Sequence, residues 1–121
     1  MQHFSWATIE KEVMNEKVWR KVISGQETMV AQIFLTKGAM VPIHQHASEQ
    51  ISYVIEGALK YEVEGREVIL RAGEVLHIPS NVPHGALAIE DTLDLDVFSP
   101  IRADWLTAKD GYLRRVETTQ G

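Results

Sequence analysis

The chain has 121 residues, of which 45% are apolar and 24% charged: enough for one hydrophobic core, too short for a second ordinary domain, and neither disordered nor fibrous. A formal net charge of −5, with Lys and Arg scattered singly except at Arg114 and Arg115, offers no basic stripe to a phosphate backbone, so nucleic acid is not an expected partner. No cysteine is present, which removes disulfides, thiolate ligands and a thiol nucleophile and leaves His, carboxylates and amides as the groups able to hold a metal.

The opening "MQHFSWATIEKE" has no basic n-region and no apolar h-region, and the apolar runs fall far short of a membrane span; a cytoplasmic protein with no membrane partner is expected. Within "SWATIEKEV", Ser5 or Thr8 offers a cap for a short N-terminal turn. "MVAQIFLT", from Met29 to Thr36, is too β-branched and apolar for a surface helix and runs into Gly38 and Pro42. After "ISYVIEG", the segment "ALKYEVEG" alternates Leu59, Tyr61 and Val63 with Lys60, Glu62 and Glu64, the period of a half-buried strand bounded by turns at Gly57 and Gly65. "REVILRAG", "EVLHIPS", "HGALAIE" and "TLDLDVFSP" follow as further short strands. "RADWLTAKDGYLRR" closes the series as a short turn or helix packed on the strands. A strand every eight to twelve residues or so, with turn signals between, predicts an all-β sandwich or barrel in one domain over residues 1–121, with its core over about 12–106.

The chemistry concentrates in "HQHASEQ" and "PSNVPHG". Residues two apart in a strand share a face, so His44 and His46 would present two imidazoles to one spot, with the Gln50 amide as a third ligand. His84, held between Pro83 and Gly85 at the start of a strand, is the expected fourth. A lone histidine is more often a surface or satisfied core residue, and His3 and His77 are read that way; His77 is in phase with Val75 and is expected to face inward without binding metal. Glu49 is one residue early for Gln50's face and is assigned to the surface or to support of the ligands.

Gly38, His44, His46, Gln50 and Gly57, followed by Gly73, Pro79 and His84, resemble both motifs of the cupin superfamily in spacing; the departures are Gln50 for the usual acidic ligand and Asn81 for the usual second-motif glycine. The resemblance implies a double-stranded β-helix (jelly-roll) barrel with one divalent metal (Zn, Ni, Fe or Mn) held by His44, His46, Gln50 and His84. A neutral amide among the ligands leaves the charge of the ion unquenched, giving weaker binding and stronger Lewis acidity.

Over residues 12–106 or so, "HQHASEQ", "IPSNVPHGALAIED" and "LDVFSPIRADWL" further resemble a family of small cupins of pectin and alginate breakdown that convert 4,5-unsaturated monouronates to linear keto sugars. That resemblance implies Asp96, Phe98 and Arg102 in the substrate site, with Asp96 and Arg102 catalytic, Phe98 and Arg102 binding the substrate, and a small acidic sugar as partner. The strand alternation agrees: Asp94, Asp96 and Phe98 share one face, Leu93, Leu95 and Val97 the other. Were Asp94 to line a cavity beside Asp96, where the family leads one to expect an apolar residue, the like charges would raise one pKa or require a counter-ion such as Arg102. Rival readings are a metal-dependent cupin dioxygenase, a non-catalytic sugar-binding module and a purely structural barrel. A homodimer is expected, with Trp6, Trp19 and Trp105 as interface or packing aromatics.

Overall fold

Alternation along the chain becomes alternation in burial, and in two strands the sense is inverted. The structure is a computed structural model and describes residues 1–106. Its strands are β1 (Glu12–Asn15), β2 (Val18–Ser24), β3 (Met29–Leu35), β4 (Met40–His44), β5 (Glu49–Glu56), β6 (Ala58–Val63), β7 (Arg66–Arg71), β8 (Val75–Ile78), β9 (His84–Ala88) and β10 (Thr92–Ser99). In β6, Leu59 and Tyr61 point inward and Glu62 outward, as their polarity demands. In β5, however, Gln50 and Ser52 are buried while Ile51 and Tyr53 are exposed. In β10, Thr92, Asp94, Asp96 and Phe98 are buried, and Leu93, Leu95 and Val97 lie half-buried on the outer surface.

The strands pair antiparallel in two sheets, a six-stranded one in the order β1-β2-β3-β10-β5-β8 and a four-stranded one in the order β4-β9-β6-β7. The expected all-β jelly-roll barrel is therefore what forms. Inversion of β5 and β10, neighbours through the pairs Asp96↔Ser52 and Phe98↔Gln50, gathers polar groups in part of the interior. The rest of the interior is mainly apolar: Met14, Val18, Leu35, Val54, Leu59, Leu70 and Ile78 form the larger cluster, and Met29, Ala31, Phe98 and Trp105 a smaller one.

At the N-terminus, Ser5 caps a 3-10 turn (Trp6–Thr8) by accepting from the Ala7 N–H. At the other end a short helix α1 (Ala103–Leu106) buries Trp105 against Phe98, so this tryptophan packs inside. The expected continuation of that helix past Leu106 lies outside the described residues. Trp19 stacks on Phe34, 5.4 Å between centroids, and Trp6 is half-buried. His77 and Val75 face out of the barrel, contrary to expectation: β8 ends the six-stranded sheet, Ile78 takes the inward position, and His77 pairs with the exposed Glu49 at 2.9 Å. Glu49 is thus a surface residue.

Candidate metal centre and substrate cavity

His44 and His84 meet as a direct cross-strand pair at the ends of β4 and β9 in the four-stranded sheet. His46 lies beyond the end of β4, which stops at His44, so it is a loop that carries it to the cluster and not the strand periodicity expected from the His-x-His spacing. Its ring is fixed instead by Nδ1–H donating to the Ser48 carbonyl at 2.8 Å. Gln50 arrives from β5 in the other sheet. Ligand nitrogens of His44, His46 and His84 all lie within 4.8 Å of one another. Asn81, in the turn before β9, has φ 61, a left-handed conformation that asparagine tolerates well, which accounts for its standing where a glycine is usual.

The donor set fits a divalent cation. Each ring is oriented by an Nδ1–H bond to a carbonyl, His44 to Pro42 (2.9 Å), His46 to Ser48 (2.8 Å) and His84 to Val82 (2.8 Å), which leaves Nε2 as the lone-pair nitrogen of each neutral imidazole. Burial, the largest influence on each, lowers the pKa of His44 and His46 to about 4 and also lowers that of His84, so the rings are neutral near pH 7. His84 Nε2 is buried with no hydrogen-bond partner among the described residues. The Gln50 amide donates through Nε2 to Ser52 Oγ at 2.9 Å and lies 3.5 Å from Asp96 Oδ2, which turns its Oε1 toward His46 Nε2 at 3.1 Å. Two lone pairs facing each other at that distance are unfavourable unless a proton or a cation lies at the junction, and the depressed His46 pKa disfavours the proton.

Behind the histidines lies a cavity with an open mouth. Its walls include His44, Gln50, His84, Asp94, Asp96, Phe98 and Arg102, so the sequence-predicted residues converge there, with His46 edge-on to Phe98 at 5.7 Å between centroids. Asp96 is 5% exposed; Ser52 Oγ donates to its Oδ1 at 2.7 Å and itself accepts from Tyr61 Oη at 2.9 Å. Burial raises the Asp96 carboxyl, opposed by hydrogen bonds from Asp94 and Ser52 and by the charges of His84 and Arg102. Asp94 does line the cavity, and its pKa is raised well above normal by burial and by Asp96.

Arg102 pairs with another acid. It forms a two-pronged bond with Asp104, Nε to Oδ1 at 2.9 Å and Nη2 to Oδ2 at 2.7 Å, and its guanidinium lies 5.2 Å from the Phe98 ring centre and 5.0 Å from that of Trp105. Burial alone would raise the Asp104 carboxyl, but Arg102's bonds and charge outweigh it and hold the pKa below its ordinary value.

Three lining or supporting residues escape a motif reading. Arg20, 1% exposed, reaches Glu12 at 2.8 Å and lies 4.1 Å from the Trp105 ring centre. Its signal was its phase, since it shares the inner face of β2 with Val18 and Val22. Ser52 and Tyr61 carried the corresponding signal in β5 and β6.

Known proteins match this arrangement. The cupin domain family Cupin_2 matches residues 32–99. The sequence is 33% identical over 98 residues to the pectin degradation protein KdgF of Dickeya dadantii (strain 3937), covering 78% of this chain and 89% of that protein. KdgF from Halomonas sp. superposes with a TM-score of 0.81 at 31% identity, covering 87% of this chain and 98% of that one. An RmlC-like cupin from Shewanella frigidimarina NCIMB 400 gives a TM-score of 0.81 at 34% identity, covering 87% and 96%. With its two-sheet antiparallel barrel, its histidine cluster and a match across more than half its length, this chain belongs to the cupin domain family, among the relatives of KdgF.

Proposed function

We propose that this cupin is an enzyme that linearises 4,5-unsaturated uronate monosaccharides from pectin or alginate, opening the ring and ketonising the enol. The observation that carries this reading is the convergence of a buried acid pair, a buried arginine and the histidine cluster on one cavity. The relatives' association with pectin degradation supports the substrate class.

The substrate carries an enol ether across C4 and C5 and a carboxylate on C5. Linearisation protonates C4, opens the ring and leaves a ketone at C5 and an aldehyde at C1, with no change of composition or redox state. One divalent cation, held by His44, His46, Gln50 and His84, would supply Lewis acidity toward substrate oxygens. Asp96 takes and returns the proton: burial raises its carboxyl above the ordinary value, which strengthens it as a base, and Ser52, bonded in turn to Tyr61, fixes the carboxylate in place. Arg102 binds the substrate carboxylate. The Asp104 fork orients the guanidinium plane for that contact. Phe98 supplies an apolar wall and packs against both His46 and Trp105.

The test is incubation of metal-loaded protein with 4,5-unsaturated galacturonate, following the ultraviolet absorbance of the conjugated double bond. Its loss should exceed the spontaneous rate; equality with that rate overturns the reading. Asp96→Asn should lower kcat by about a hundredfold or more while elemental analysis finds the metal retained.

A further inference from the structure

Inward from Asp96 the cavity holds a polar group that the proposed chemistry does not use. Asp94 stands two residues earlier on the same inner face of β10, lines the cavity and is 2% exposed. It is hydrogen-bonded to Asp96, while its Oδ1 is buried with no partner among the described residues. Of the donor-bearing side chains on the cavity wall, Arg20 is bonded to Glu12 and packed on the Trp105 ring, and no hydrogen bond joins it to Asp94 Oδ1 among the described residues. Ile33, Leu35 and Leu59 are apolar, and the Tyr61 hydroxyl donates to Ser52. Buried polar atoms are almost always paired, so an orphaned acceptor on a cavity wall marks a place where a ligand brings the donor.

We propose that Asp94 is a specificity-determining residue whose Oδ1 accepts a hydrogen bond from a ring hydroxyl of the bound sugar acid, at the end of the ring away from the carboxylate held by Arg102. The proposal rests on the uronate reading for the identity of the ligand. Spacing along the strand suits it: Asp94 lies four residues from Phe98, beside which Arg102 packs, or about 14 Å along the strand. A pyranose acid with a hydrogen bond at each end spans such a site. Burial and the Asp96 charge raise the Asp94 carboxyl well above its ordinary pKa, which favours the form that donates to Asp96 and leaves Oδ1 a carbonyl-type acceptor, suited to a hydroxyl and unsuited to an anion. An apolar residue at this position would fill the same space without asking for a hydroxyl.

The experiment compares, by calorimetry on metal-loaded protein, the affinity for saturated galacturonate with that for tetrahydropyran-2-carboxylate, a ring acid without hydroxyls. The unsubstituted protein should prefer galacturonate by about tenfold or more. Asp94→Val should bring the two affinities within about threefold by weakening galacturonate alone, and Asp94→Asn, which keeps the acceptor, should preserve the preference. Should Asp94→Val fail to fold, Asp94→Ala is read in the same way. No preference in the unsubstituted protein, a preference that survives Val or Ala, or its loss in Asn overturns the proposal. Absence of turnover of the unsaturated sugar, with an Asp94-dependent preference intact, counts against the reaction and not against this role.

Discussion

Gln50 has two ends with opposite duties. Its Oε1 faces His46 at 3.1 Å, while its Nε2 donates to Ser52 and approaches Asp96 at 3.5 Å. A glutamate there would offer a cation more charge, but it would set a second carboxylate against Asp96, where an N–H now stands, in a wall that already holds Asp94. The amide therefore joins the histidine cluster to Asp96 without setting another carboxylate within the same few ångströms. Gln50→Glu should bind the divalent ion at least about tenfold more tightly, since a charged ligand replaces a neutral one, and should lower kcat because Asp96 loses a donor and gains a repulsive neighbour. Metal titration against a competing chelator and the ultraviolet assay measure the two effects. An unchanged kcat would show that Gln50 acts on the cation alone.

Among the elements, β5 and β10 explain what a sequence reader sees and what is hidden. Their period of two is plain in "EQISYV" and "TLDLDVF", and the shared face of Asp94, Asp96 and Phe98 follows from it. Which face is inside does not follow from hydrophobicity, because the more apolar face points out in both. The usual rule would have turned the site toward solvent, and a metal motif on the same strand is what corrects it for β5. Arg20 stayed hidden for the same reason, being a charge on an inward face with no motif beside it. His46 and the outward turn of His77 were illegible because strand ends and sheet edges are set by pairing partners far away in sequence. The joints between elements matter as much as the strands. Gly57, where the chain passes from the six-stranded to the four-stranded sheet, has φ 94, and a Cβ there would meet the Asp91 carbonyl and lie 2.6 Å from Thr92 Oγ1. Gly65 has φ 79 with nothing within 4 Å of that position. Gly65→Ala should cost about 1–2 kcal/mol from backbone strain alone. Gly57→Ala should cost more, about 3 kcal/mol or beyond, because the surrounding backbone must also move. Urea denaturation of the two variants provides the comparison, and equal losses would mean that the close approach to residues 91 and 92 is readily relieved.

For the whole molecule, the candidate ligands come from both sheets: His44 and His84 from the four-stranded one, Gln50 from the six-stranded one, and His46 from the loop between them. A cation held there ties the sheets together at one end of the barrel, whereas the apolar cluster of Leu59, Leu70, Val54 and Ile78 joins them elsewhere. Free divalent ion at about a hundred times its dissociation constant should stabilise the fold by about 2.7 kcal/mol. That corresponds to a rise in Tm of roughly 10 °C for a domain of this size. A chelator should reverse the shift, as read by thermal unfolding in its presence and absence, and a histidine cluster that binds no ion would leave Tm unchanged. Much of the candidate site, meanwhile, rides on β10, which is hydrogen-bonded on both sides, to β3 and to β5. Two ladders hold its register at once, and the side-chain period makes any slip of one residue a complete inversion. Leu93, Leu95 and Val97 would then line the cavity, and Asp94, Asp96 and Phe98 would face solvent. Over evolutionary time this makes β10 a strand that accepts exchanges of side chain, such as the acid at position 94, but not insertion or deletion: its pocket can change in preference by single letters, while a change of length erases it in one step.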